Sequence, residues 1–191
     1  MKQIRRRKWT KKISVMTIIL PILAVFLLGD IIGAVLYVRQ EAAVQAQLYY
    51  YLQTGESLSF FQIFWQQFLY QLTIWSLGLL VVGNFVNIFL IFMHGIRTGF
   101  NLAILTQTAT AGVIVLWLVQ MILIIFTTIL SMYFSIRFAY LVIKSIINKK
   151  YKRLKHHLII YGQQFAVIFL LTILTALTSA IIMPFVLRQM F

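Results

Sequence analysis

The sequence predicts an all-α, polytopic transmembrane helical bundle with about five spans. Of its 191 residues, 62% are hydrophobic and only 10% are charged, whereas a soluble domain carries about a quarter charged residues. The apolar residues form stretches long enough to cross the roughly 30 Å hydrocarbon core of a bilayer as helices. The charges, 17 Lys and Arg against 3 Asp and Glu, lie mainly in basic blocks between those stretches. This arrangement is typical of the signals that orient membrane proteins.

The chain begins with a basic tail, residues 1–12, followed by an apolar stretch over residues 13–38. A signal peptide has an apolar core of roughly 7–15 residues. Because this stretch is longer, we expect it to remain as a membrane anchor and to form the first span. Residues 39–71 mix Gln, Glu and Tyr with apolar residues, so we expect an external segment there.

The region over residues 72–143 is almost continuously apolar. As helix, at roughly 1.5 Å per residue, it is long enough for three crossings, with breaks expected near residues 94–99 and 108–112. A basic loop, residues 144–157, precedes the last apolar stretch. The predicted transmembrane domain covers residues 13–187, with spans over residues 13–38, 72–93, 96–116, 118–143 and 158–187.

The basic blocks predict the orientation of the bundle. Cytoplasmic loops carry an excess of Lys and Arg, so the tail and the loop over residues 144–157 are both expected inside. An even number of spans must then separate them, and the first span plus three crossings within residues 72–143 satisfies this. The N-terminus is predicted to be cytoplasmic and the C-terminus external, with Arg97 in the inner turn between spans two and three.

An aromatic stripe precedes the second span. Phe61, Phe64, Trp65 and Phe68 recur at helical spacing, with Gln residues between them. We favour a helix that lies in the membrane interface before the chain turns into the second span. The alternative is an aromatic belt at the outer end of a longer second helix.

Two pairs of glycines have the small-xxx-small spacing of closely packed membrane helices. Gly29 and Gly33 lie on the first span, and Gly95 and Gly99 lie at the start of the predicted third span. Glycine lets helix backbones approach where lipid offers no hydrophobic drive for association. Packing within the chain and formation of a homo-oligomer both fit this pattern.

Several polar residues fall within the predicted spans. Asp30 is the only carboxylate there, and an intramembrane acid is by default a functional hypothesis. A direct pair with Arg137 is not expected, because the two residues lie at different depths. We favour a hydrated Asp near the outer interface over ion transport, because transporters usually carry several intramembrane ionisable groups. For Asn84, Asn87 and Asn101 we favour interhelical hydrogen bonds; the alternative is a polar cavity.

Sequence motifs of catalysis are missing. The chain has no cysteine, its histidines lack metal-binding spacing, and we find no phosphate-binding loop or nucleophile motif. We therefore expect no enzyme activity, no catalytic residue, no cofactor and no metal. Both basic blocks lie next to the membrane and have few interleaved aromatic residues, so topology explains them better than nucleic acid does. Membrane lipid and other membrane proteins are the expected partners.

Short motifs along the chain resemble the stage II sporulation protein M family of five-span bacterial membrane proteins. They are LGDIIGA at residues 28–34, YYYL at residues 49–52, Gly78 and Gly83, GIRTGF at residues 95–100, and an Ala-rich end closing on Pro184. The chain departs from many relatives at residues 118–121, where it reads LVQM in place of Pro-His-Gly followed by Glu.

The resemblance implies a membrane-embedded organiser. The name-giving member of the family holds peptidoglycan-degrading partners at the septal membrane during engulfment. We therefore expect a non-enzymatic scaffold in the bacterial cell membrane that recruits or positions cell-envelope proteins. The alternative is the membrane subunit of an ATP-driven exporter or a small-solute transporter, for which the basic tail and loop would supply the surface that contacts an ATPase.

Overall fold

The computed structural model describes residues 15–41, 44, 59–80, 82–108, 110–149 and 152–190, and it describes side chains at all of these except residues 152, 153 and 183–190. Within these residues the chain forms helices and no β-strand. The helices are α1 (Val15–Val38), α2 (Phe60–Leu79), α3 (Gly83–Thr108), α4 (Ala111–Ile147) and α5 (Lys152–Met190). The basic tail and most of the predicted external segment lie outside the described residues.

Four of these helices are long and apolar enough to cross a membrane. They are Val15–Val38, Gly83–Gln107, Ala111–Ile147 and Leu154–Ile182, and only 22–33% of their most apolar windows is buried inside the bundle. Apolar side chains that face outward over most of a helix need lipid around them. The predicted class, an all-α polytopic bundle, is therefore confirmed.

Helices α1 and α3 run parallel and in direct contact. Gly29 lies against Gly95 near their middles, and the Tyr37 hydroxyl donates a hydrogen bond to Gln107 Oε1 further along both helices, at 2.9 Å. The connection from α1 to α3 must therefore return along the bundle. Helix α2 makes that return.

Helix α2 lies along the bundle and not across its end. Gln67, in its first half, bonds Ser179 of α5, and Trp75, near its end, stacks on Tyr161 of α5 at 5.1 Å. The two helices are therefore antiparallel over most of α2, whose 20 residues span about 30 Å. The aromatic residues lie in the first half of this helix, and the choice between an interfacial helix and the outer end of a second span stays a prediction.

Consecutive helices alternate in direction. Helix α4 is antiparallel to α5, since Gln120 bonds Ser179 and Phe138 stacks on Tyr161. We call the end of the bundle where α1, α3 and α5 begin the basic end, because Lys144 lies in the last turn of α4 there; the opposite end is the far end. Helix α2 is not among the four helices that are long and apolar enough to cross a membrane, so the predicted count of five spans and the side of the membrane that each end faces both stay predictions.

The predicted break at residues 94–99 is wrong. Helix α3 is continuous over Gly83–Thr108, so Arg97 lies inside a helix and not in a turn. The break was expected there because residues 94–97 interrupt an otherwise apolar stretch. Inside the bundle Gly95 and Gly99 pack against α1 and Arg97 borders a polar cavity, which removes the reason for a break.

The turn between α2 and α3 lies instead within an apolar run. The Leu80 N–H donates to the Leu77 carbonyl and the Gly83 N–H donates to the Leu80 carbonyl, each at 3.0 Å. A Cβ atom on Gly83 would overlap the Leu77 carbonyl oxygen, so glycine permits the tight turn. The other breaks lie close to their expected places, because α3 ends at residue 108, α4 starts at residue 111, and α5 starts at residue 152.

Candidate functional site

The two glycine pairs lie against each other between α1 and α3. A Cβ on Gly29 would come within 3.2 Å of Gly95 Cα, and a Cβ on Gly33 would overlap the carbonyl oxygen of Ile96. Gly99 packs in the same way against the α1 backbone. Both small-xxx-small faces therefore serve packing within the chain, as the backbones touch where any larger residue would separate them.

Asp30 lies beside this interface on α1. Its backbone contacts Gly95 and Gly99, and its side chain is half-buried. Its Oδ1 atom has no hydrogen-bond partner among the described residues. The structure does not bring Asp30 to the asparagines proposed as a polar site.

Asn84 and Asn87 join three helices at the basic half of the bundle. The Asn87 amide is fully buried and donates to the Ile74 carbonyl of α2, at 3.0 Å, and to Ser135 Oγ of α4, at 3.3 Å. Ser135 Oγ donates in turn to Asn84 Oδ1, at 2.7 Å. These are interhelical hydrogen bonds that hold α2, α3 and α4 together.

Asn101 is separate from the other asparagines and lines a cavity of about 250 Å³ in the far half of the bundle. The cavity lies between α2, α3, α4 and α5. Most of its lining residues carry a polar group, although their apolar parts make up more of the lining surface: the cation Arg97, His94 and Tyr70, the amides Gln66, Gln67, Gln71, Asn101 and Gln120, and the hydroxyls Thr98, Thr127, Thr172, Thr175 and Ser179. It is the strongest candidate for a binding site within the described residues.

Side-chain hydrogen bonds fix one wall of the cavity. Gln67 accepts from Thr175 Oγ1 at 2.8 Å and donates to Ser179 Oγ at 3.2 Å. Gln120 Nε2 donates to the same Ser179 oxygen at 2.8 Å. This network connects α2, α4 and α5, and satisfied networks of this kind make buried side chains rigid.

A second bridge joins α2 to α4 next to that wall. Ser131 Oγ donates to Gln71 Oε1 at 2.7 Å, and Gln71 Nε2 donates to Thr128 Oγ1 at 3.2 Å. Gln71 is buried, and both of its amide atoms are used. The cavity wall on this side is therefore preformed.

Two buried polar atoms at the cavity lack partners among the described residues. Gln120 is 6% exposed, and its Oε1 atom has no hydrogen bond. His94 Nε2 is also buried without a partner, while its ring stacks on Tyr70 at 5.1 Å. Orphaned buried polar atoms are uncommon in native proteins and cost roughly 1–3 kcal/mol each.

Arg97 gives the cavity a positive charge. It lies about 21 Å along α3 from Gly83 and about 16 Å from Thr108, at roughly 1.5 Å per residue. This position is within a candidate membrane span, where an ionised group is costly without a partner. No carboxylate belongs to the cavity lining in the part of the chain that is described.

An apolar layer closes the cavity toward the basic end. Ile74, Ile91, Met132 and Ile168 come from α2, α3, α4 and α5, and each is at most 1% exposed. Each lies roughly one to one and a half turns from a cavity residue on its own helix. None of these four residues belongs to the lining of the cavity, which lies on the far side of the layer.

The aromatic stripe on α2 divides into two faces. Phe64 and Phe68 contact Phe169 of α5, with ring centroids 6.0 and 5.6 Å apart. Phe61 and Trp65 stack on each other and point outward, 68% and 48% exposed. The first pair fixes α2 to the bundle, and the second pair forms an exposed aromatic surface.

Sequence reasoning missed most of the cavity. Arg97 was assigned to a turn, and the polar side chains on α4 and α5 were not considered. A signal was present, because Thr172, Thr175 and Ser179 recur at spacings of three and four residues, which places them on one helix face. The sequence pattern gave no indication that four helices contribute side chains to one cavity.

This architecture defines a polytopic α-helical membrane protein that gathers its polar side chains inside the bundle. The family model for stage II sporulation protein M matches residues 22–186, which includes parts of all five helices. The chain belongs to the stage II sporulation protein M family, as its motifs suggested. No significant match was found to a curated protein or to a solved structure.

Proposed function

We propose that this protein is a non-enzymatic membrane scaffold that recruits or positions cell-envelope proteins, including those that remodel peptidoglycan, in the bacterial cell membrane. The family match over residues 22–186 carries the proposal. The family is not a known enzyme family.

The exposed aromatic surface of α2 supports this proposal. Phe61 and Trp65 project from a helix whose opposite face, at Phe64 and Phe68, packs on α5. Leu69 continues the exposed face one turn further and is 42% exposed. Rigid aromatic side chains backed by a packed helix are effective anchors for a partner protein.

The transporter alternative has one observation in its favour, the polar cavity. A carrier, however, needs access to its site from both sides of the membrane. The apolar layer of Ile74, Ile91, Met132 and Ile168 separates the cavity from the basic end. Because a carrier exposes its site to one side at a time, this layer does not decide between the two functions, and we prefer the scaffold on the family match.

The proposal is tested by placing a photo-crosslinking phenylalanine analogue at Phe61 in the native host and identifying the captured proteins by mass spectrometry. The matched control carries the analogue at Phe126, which is 55% exposed on α4. We expect cell-wall hydrolases or divisome proteins from position 61 and not from position 126. Capture of an ATPase at position 61 would favour the transporter. Unchanged localisation of the captured proteins after deletion of the gene would contradict the scaffold role.

A further inference from the structure

The cavity has an opening toward α2 and α3. Contacts between these helices run from the Gly83 turn to the stacking of Tyr70 on His94, and the cavity lies beyond that level. Among its lining residues, Gln66 of α2 and Arg97 of α3 are exposed, whereas Gln120 of α4 is buried. A ligand would therefore meet Arg97 near the mouth and Gln120 in the interior.

The lining specifies the chemistry of a ligand. Arg97 offers N–H donors and a positive charge, and Asn101 and Gln66 add amide donors near it. These groups suit an anionic oxygen group such as a phosphate. The unpaired Oε1 of Gln120 is an acceptor and requires a donor, which a hydroxyl group next to the phosphate would provide.

The size of the cavity restricts the ligand further. About 250 Å³ is below the roughly 300–1,000 Å³ of pockets that hold drug-sized molecules, so a small polar group fits and a nucleotide does not.

We propose that this cavity binds the phosphate of a small anionic, hydroxyl-bearing headgroup, with the phosphate at Arg97 and a hydroxyl donating to Gln120. A glycerophospholipid and a soluble glycerol phosphate share this chemistry. The bound anion compensates the charge of Arg97 in the membrane, and the hydroxyl group of the ligand donates a hydrogen bond to the unpaired Oε1 of Gln120. The site is independent of the proposed scaffold role, since it lies inside the bundle and away from Phe61.

The test compares lipid retention by the full chain and its variants. Each protein is reconstituted with equal amounts of phosphatidylglycerol and phosphatidylcholine, released into mild detergent, and analysed by native mass spectrometry. The wild type is expected to retain one phosphatidylglycerol in preference to phosphatidylcholine. R97Q should lower the retention of phosphatidylglycerol roughly tenfold, because it removes a charge-assisted hydrogen bond to the phosphate. The control R137Q removes an exposed arginine of α4 that does not line the cavity, and it should retain the lipid as the wild type does.

Competition distinguishes the two sources of the headgroup. If free glycerol phosphate displaces the retained lipid at millimolar concentration, the site takes the soluble form; if it does not, the site takes the lipid. Equal retention by R97Q and the wild type, or an equal loss in R137Q, would overturn the proposal. If R97Q does not fold, N101L tests the same mouth by replacing an amide donor with an apolar side chain, and unchanged retention in a folded N101L protein would also overturn it.

Discussion

Gly33 of α1 lies against the backbone of Ile96 in α3, so close that a Cβ atom on the glycine would overlap the Ile96 carbonyl oxygen. The opposing atoms belong to a helix backbone and cannot rotate away as a side chain could. The α1–α3 contact therefore depends on the absence of a side chain at this position.

Replacing Gly33 with alanine should destabilise the bundle by about 1–3 kcal/mol, because the two helices must separate to admit the methyl group. Gly162 on α5 is a matched control, since a Cβ atom there meets no atom within 4 Å. G162A should be neutral or slightly stabilising, as alanine is the better helix former. Unfolding of both variants in detergent, followed by circular dichroism, measures the difference. Equal stability of G33A and G162A would contradict this packing.

The polar cluster at Ser135 predicts a second stability difference. S135A should lower the free energy of unfolding by about 0.6 kcal/mol and at most about 1.7 kcal/mol, the mean and the maximum measured for interhelical hydrogen bonds in a membrane protein, since Asn84 and Asn87 both lose a partner. T73V is the control, because the exposed Thr73 hydroxyl bonds within its own helix. The same denaturation assay applies. A larger effect of T73V than of S135A would show that the cluster does not join the helices.

The two aromatic faces of α2 should respond differently to truncation. F68A is expected to destabilise the protein by about 1–3 kcal/mol, because Phe68 packs on Phe165 and Phe169. F61A should leave the unfolding midpoint unchanged and reduce the amount of partner protein recovered with the tagged chain. Thermal unfolding and quantitative affinity purification measure the two effects. A normal yield of partner from a stable F61A protein would argue against this surface as the docking site.

The fold class could be predicted from the sequence because it depends on composition and on the length of apolar stretches, which lipid imposes directly. The order of helices was harder to predict. The turn before Gly83 lies within the apolar run LGLLVVG and carries no polar signal, whereas His94 and Arg97 carry a strong one inside a continuous helix. A polar residue in a membrane helix can face either water or the interior of the bundle, and its identity does not distinguish the two.

The candidate site was predictable only in fragments. The spacing of Gly29, Gly33, Gly95 and Gly99 indicated close helix packing, but both internal and intermolecular contacts satisfied that spacing. Asn101 was identified as a polar residue on a span, yet its neighbours in the cavity come from helices distant in sequence. Such a site is a product of tertiary packing, and periodicity along one helix describes only one wall of it.

Labelling of single cysteines tests the helix order most directly, and the natural absence of cysteine makes every introduced thiol unique. Membrane-impermeant maleimide should react with V82C and N148C from one side of the membrane and with T110C from the other, because residues 82 and 148 lie at the basic end and residue 110 at the far end. R97C should not react from the side that labels V82C. If R97C reacts from the same side as N148C and V82C is protected, the helix order is contradicted. Such a result would indicate a turn at residue 97 and not before Gly83.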